Sequence, residues 1–118
     1  MNIKDKMVKE FAKSVQLQYE AIMQGNAKEG NKHADKYMRC FKELVERYGD
    51  SGREKLSSLL DHSDDRVKAM AAAYLLRYKT SKSLQILERI AKEGKFIIST
   101  GAELTIKRWK EGNWHLDE

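Results

Sequence analysis

With 118 residues, 41% of them hydrophobic and 35% charged, the chain has material for one soluble domain with its own core. It contains no proline and seven glycines, so an all-helical backbone meets little resistance. A single cysteine, Cys40, excludes an internal disulfide framework and fits a reducing compartment.

The opening MNIKDKMVKE lacks the apolar run of a signal peptide, and no stretch reaches the length of a membrane span. A cytoplasmic location without membrane association is therefore expected. The formal net charge of +5 is unevenly spread. Residues 77–110 hold nine Lys/Arg against three Glu, a local +6. A one-sided basic region points to an acidic partner, protein or nucleic acid. Lysines on solvated helix faces account for the same charge with no partner at all.

The first predicted helix covers residues 5–24, with Val8, Phe11, Val15, Ile22 and Met23 at helical spacing and Tyr19 alongside. Gly25-Asn26 ends it. The second covers 27–48, with Ala27, Gly30, Ala34, Met38, Phe41, Val45 and Tyr48 expected inward. Gly30 inside a helix points to a close crossing with the first helix. After Gly49-Asp50-Ser51-Gly52, Ser51 and Glu54 fit a capping box that starts a short third helix, 52–61, around Leu56, Leu59 and Leu60.

The stretch Asp64 to Tyr78, DDRVKAMAAAYLLRY, dominates the chain. Val67, Ala71, Tyr74, Leu75 and Tyr78 form one apolar stripe, and Ala69, Ala72, Ala73 and Leu76 form another. A helix apolar on two faces belongs between neighbours, and its alanines let them approach closely. Ser63 or Asp64 is expected to cap it, with Asp64 and Asp65 at its positive end. A fifth helix over 81–93, capped by Thr80 or Ser81, carries Leu84, Leu87, Ile90 and Ala91 and stops at Gly94. The sixth covers 96–111, although Phe96-Ile97-Ile98-Ser99-Thr100 alone has strand propensity. In the tail, 112–118, Trp114 and Leu116 are expected to fold back over the last helices.

An internal repeat decides the sixth element. A shift of 31 residues places Leu56 on Leu87, Leu59 on Ile90, Val67 on Ile98, Ala71 on Ala102, Leu75 on Ile106, Arg77 on Arg108 and Tyr78 on Trp109. Paired helices with a small residue midway in the second mark a stacked αα repeat. The expected fold is all-α, a right-handed αα-superhelix of three hairpins and six helices, forming a single domain over 1–118.

LLDHSDDRVKAMAAAYLL resembles the HEAT-type pattern of an acidic turn, a basic residue, paired alanines and a later leucine. Together with GNAKEGNKHADKY and the spacing of Ala102, Trp109 and Gly112, it resembles a small bacterial HEAT-like family catalogued as a domain of unknown function. The resemblance implies the fold and carries over no catalytic residue.

His33, His62 and His115 lack metal-ligand spacing, so no metal site is expected. Cys40 fits an inert, half-buried thiol. Ser57, Ser58, Asp61 and His62 surround one turn without a nucleophile elbow. Helix capping accounts for Asp61, Asp64 and Asp65. Tyr78 and Trp109 fit core aromatics, or an aromatic ledge. No catalytic residue and no cofactor is expected.

In αα arrays the second helices of successive hairpins share one wall. The candidate partner-binding face on it is Arg39, Lys68, Arg77, Ser99, Glu103, Lys107, Arg108 and Lys110. Arg77 and Arg108 occupy equivalent repeat positions. They are expected side by side, either gripping carboxylates or phosphates or pairing with nearby Glu. The expected function is a non-catalytic protein-interaction module, of the kind that serves as an adaptor or neutralises a toxin. The alternative is nucleic-acid binding through the basic region 77–110, with HEAT-like DNA glycosylases as an analogy of fold alone.

Overall fold

The computed structural model describes residues 2–118. Among these it contains six α-helices and no strand. The chain divides into two compact units, residues 1–59 and 60–118. No described helix is long and apolar enough to cross a membrane.

The first unit is a long hairpin of α1 (Ile3–Met23) and α2 (Ala27–Tyr48), followed by the short α3 (Asp50–Leu56). Asn2 and Asn26 start the two long helices, their Oδ1 atoms accepting the N–H groups of Asp5 and Glu29. The inward residues of α1 include Met7, Val8, Phe11, Ala12, Val15 and Ala21, so the predicted stripe holds except at its end, where Ile22 and Met23 are exposed.

The inner face of α2 is rotated from the expected one. Gly30, Tyr37, Cys40, Phe41 and Leu44 are buried, whereas Ala27 and Met38 face solvent. Tyr37 explains the choice. Its ring packs against Phe11 with centroids 5.5 Å apart, and its hydroxyl donates to Gln18 Oε1 at 3.0 Å. Gly30 does lie against α1, yet a Cβ there would meet Ile22 Cγ1 at 3.6 Å, an ordinary contact. The crossing therefore tolerates glycine without requiring it.

The close approach belongs to Gly52 instead, where a Cβ would stand 2.6 Å from the carbonyl oxygen of Leu44. The expected capping box is absent. Helix α3 begins at Asp50, before Ser51, and has no side-chain cap. Ser51 Oγ accepts from Lys4 Nζ at 2.8 Å, which ties α3 to the start of α1.

The second unit contains α4 (Asp65–Tyr74), α5 (Thr80–Glu93) and α6 (Phe96–Glu111). A 3₁₀ turn, Ser57–Asp61, spans the boundary between the units. Asp64 caps α4, its Oδ1 accepting from Arg66 N while the Arg66 guanidinium returns to the same carboxylate at 2.7 Å. Both stripes of α4 are buried, with Ala71, Ala72, Leu75 and Leu76 fully excluded from solvent.

The helix ends at Tyr74, four residues before the predicted limit. Leu75 and Leu76 stay buried in the turns that follow, so apolar spacing outlasts the helix there. Helix α5 begins at Thr80 with no side-chain cap; Thr80 Oγ1 donates back to the Arg77 carbonyl. Phe96 to Thr100 is helical, and Ser99 and Thr100 turn their hydroxyls onto the Phe96 carbonyl. Three repeat-equivalent pairs share burial, Leu56 with Leu87, Leu59 with Ile90 and Ala71 with Ala102, whereas Val67 and Leu75 are buried and their counterparts Ile98 and Ile106 only half-buried.

Candidate functional site

Of the eight residues of the predicted face, Arg39 lies on α2 in the first unit and the other seven lie in the second. Arg39 is exposed beside a shallow groove of about 420 Å³ lined also by Glu10, Lys32, Asp35, Lys36, Cys40 and Glu43. Three cations and three carboxylates balance there, so the groove has no preference for charge. Burial first, and then the nearby Glu10 and Glu43, raise the Cys40 thiol above its ordinary pKa.

The α6 members do not form one face. Ser99, Glu103, Lys107 and Lys110 follow helical spacing along one flank. Arg108 lies nine residues from Ser99, about 180° round the axis, on the other. Helix α6 buries one residue fully, Ala102. Its outward side instead carries Phe96, 82% exposed, and Leu104, 44% exposed, with Thr100 between them. Eight residues separate the two apolar side chains, roughly 12 Å along the helix. Lys95, Lys107 and Arg108 flank this strip together with the exposed Glu103 and Glu111, and none of the three cations makes an ion pair among the described residues. Phe96 entered the sequence reading only as a strand former. Its exposure follows from a helix whose buried edge is centred on Ala102.

Arg77 sits just beyond α4 and holds a partner other than the expected Glu. Its Nε donates to the backbone oxygen of Asp117 at 2.7 Å, and its Nη2 meets Asp117 Oδ1 at 3.1 Å. The tail brings the carboxylate there. Gly112, with φ 75°, turns the chain off α6 in the left-handed conformation that favours glycine. Trp114 then packs edge-on against Trp109, centroids 5.1 Å apart, and donates Nε1–H to the Ala73 carbonyl at 2.7 Å. Leu116, expected to cover the stack, is 40% exposed at a bend, and Asp117 is buried in its place.

Much of the basic region is neutralised by acidic residues outside it. Arg77 pairs with Asp117, Lys82 with Asp61 at 3.0 Å and Arg89 with Asp65 at 2.9 Å. Those three carboxylates reduce the local +6 of residues 77–110 to +3. Lys68 is half-buried on α4.

The polar side chains near the Asp61 turn are committed to local structure. Ser57 and Ser58 donate to the carbonyls of Glu54 and Lys55, and His62 Nδ1 accepts from the Asp64 N–H. Among the described residues no three His, Cys, Asp or Glu stand close enough to hold a metal ion.

The architecture is that of a small all-helical protein whose last helix presents two exposed apolar side chains among charged ones of both signs. The chain belongs to the family described as Domain of unknown function (DUF2019), whose model matches residues 5–109. No curated protein and no solved structure matches it.

Proposed function

We propose that the chain is a non-catalytic protein-interaction module, an adaptor or a toxin-neutralising protein, whose docking surface is the outward side of α6. The observation that carries this reading is the pair Phe96 and Leu104, left in solvent two turns apart on the outward side of α6. Large apolar side chains grouped on one surface mark interaction sites, and a rim that mixes cations with Glu103 and Glu111 favours a partner carrying charges of both signs around an apolar centre. A HEAT-like right-handed superhelix belongs to the same reading, supported by the 31-residue register and the shared burial of three equivalent pairs. The ion pairs that neutralise Arg77, Lys82 and Arg89 count against a phosphate-binding surface spanning residues 77–110.

The test is affinity capture from the source cells with the wild-type chain, a Phe96→Ser/Leu104→Ser variant and an Arg39→Glu variant. The captured protein should be lost with the α6 variant and kept with Arg39→Glu. Equal capture by the α6 variant and the wild type removes α6 as the docking surface. Binding to duplex DNA that weakens steeply between ~50 and ~200 mM salt would establish the nucleic-acid alternative instead.

A further inference from the structure

The tail is held at three points, and together they have the form of a peptide-binding site. An indole N–H meets a backbone carbonyl at Ala73, the indole edge meets Trp109, and a carboxylate with its own carbonyl meets the Arg77 guanidinium. Helix α4 ends at Tyr74, so the Ala73 carbonyl belongs to the last turn, where carbonyls lack an intrahelical donor. Trp109 provides an aromatic wall. The two guanidinium nitrogens fix the position of an acidic residue three places after the indole. Each element recognises a chemical group rather than this particular tail, and His115 and Glu118, between and beyond the anchors, are exposed and, among the described residues, hydrogen-bond only to each other through their side chains.

We propose that this site docks a partner's acidic segment bearing an indole three residues before a carboxylate, and that residues 113–117 are its built-in competitor. The proposal deepens the reading of the chain as an interaction module and rests on it. Two observations favour an exchangeable ligand over a fixed staple. The Arg77 side chain remains 53% exposed with Asp117 in place, so an incoming carboxylate can reach it before the tail leaves. The tail is anchored by two side chains three residues apart, Trp114 and Asp117, while His115 and Leu116 between them stay exposed. Tethering through Gly112 gives the tail an effective concentration on the order of millimolar, which a segment making further contacts can exceed.

The experiment uses the full-length chain, a full-length Trp114→Ala/Asp117→Ala variant, and as probe a capped synthetic peptide, Gly-Asn-Trp-His-Leu-Asp-Glu. Amide and guanidinium NMR shifts from Ala73 to Arg77 report binding. The double variant should bind the peptide saturably, at least tenfold more tightly than the wild type. Replacing the peptide's Trp with Ala, or its Asp with Asn, should weaken that binding at least tenfold. A folded variant that ignores the peptide at several millimolar overturns the proposal, and so does equal binding to the wild type. If the double variant unfolds, Asp117→Asn alone takes its place; unfolding of both identifies the tail as a structural staple and overturns the proposal. Phe96 and Leu104 play no part in this assay, so its failure leaves the α6 docking surface to its own test.

Discussion

Trp114→Ala removes two interactions that can be weighed from the structure. The first is the 2.7 Å hydrogen bond to the carbonyl of Ala73, a residue only 5% exposed. Leaving a buried acceptor without its donor costs about 1–3 kcal/mol. The second is the edge-on contact with Trp109, worth about 0.5–1.5 kcal/mol beyond the area buried. Together they give a loss of roughly 2–4 kcal/mol. For a chain of this size that lowers the melting temperature by on the order of 10 °C. Urea unfolding followed by circular dichroism at 222 nm measures it without using the fluorescence that the substitution itself removes. Trp114→Phe keeps the ring contact and loses only the N–H, so it should fall between the wild type and Trp114→Ala. A Trp114→Ala chain within about 0.5 kcal/mol of the wild type, well below these figures, refutes the reasoning.

Four further outcomes follow from burial and close contact. Gly30→Ala should stabilise the chain by about 0.5–1 kcal/mol, because its Cβ finds ordinary contacts and helix propensity improves. Gly52→Ala should destabilise it by about 1–3 kcal/mol, because the Cβ meets a backbone oxygen that cannot yield; chemical denaturation of both variants checks the opposite signs. Ser83 is fully buried, and its Oγ has no partner among the described residues, so Ser83→Ala should raise stability by about 0.5–1.5 kcal/mol in the same assay. Burial pushes the Tyr74 phenol from 10 up to about 12. The folded chain thus keeps the neutral phenol that the unfolded chain loses above pH 10. Stability present below pH 10 is lost as pH climbs towards 12, at about 1.4 kcal/mol per pH unit. Unfolding measured at pH 9, 10 and 11 should therefore fall less steeply for Tyr74→Phe than for the wild type.

The ends of α1, α2, α5 and α6 were legible in the sequence because Gly25-Asn26, Gly49, Gly94 and Gly112 stand at those breaks. The buried alanines of α4 were legible for a simpler reason: a helix apolar on two faces has nowhere else to go. The phase of α2 was not. Two overlapping stripes share Gly30 and Phe41, and the choice between them rests on Tyr37 reaching Gln18, a pairing between helices that spacing along one helix does not show. The end of α4 was also hidden, since Leu75 and Leu76 continue the apolar pattern outside the helix. Apolar periodicity reports burial, and only indirectly the backbone that achieves it.

The candidate site was legible one residue at a time. Arg77 was expected either to grip a partner's carboxylate or phosphate or to pair with a nearby Glu; within the chain it pairs with Asp117, 40 residues away in the tail, where no local signal marks it. Arg108 was placed with Lys107 and Lys110 through the repeat, whereas the helix puts it on the opposite flank from Ser99 and Lys110.

A partner docked on the outward side of α6 shields the backbone amides of that helix. Hydrogen–deuterium exchange on the full chain, alone and with the protein it captures, tests this most directly. The expected result is new protection concentrated in residues 96–111, strongest around Phe96 and Leu104. Protection confined to residues 27–48, with 96–111 unchanged, would contradict it.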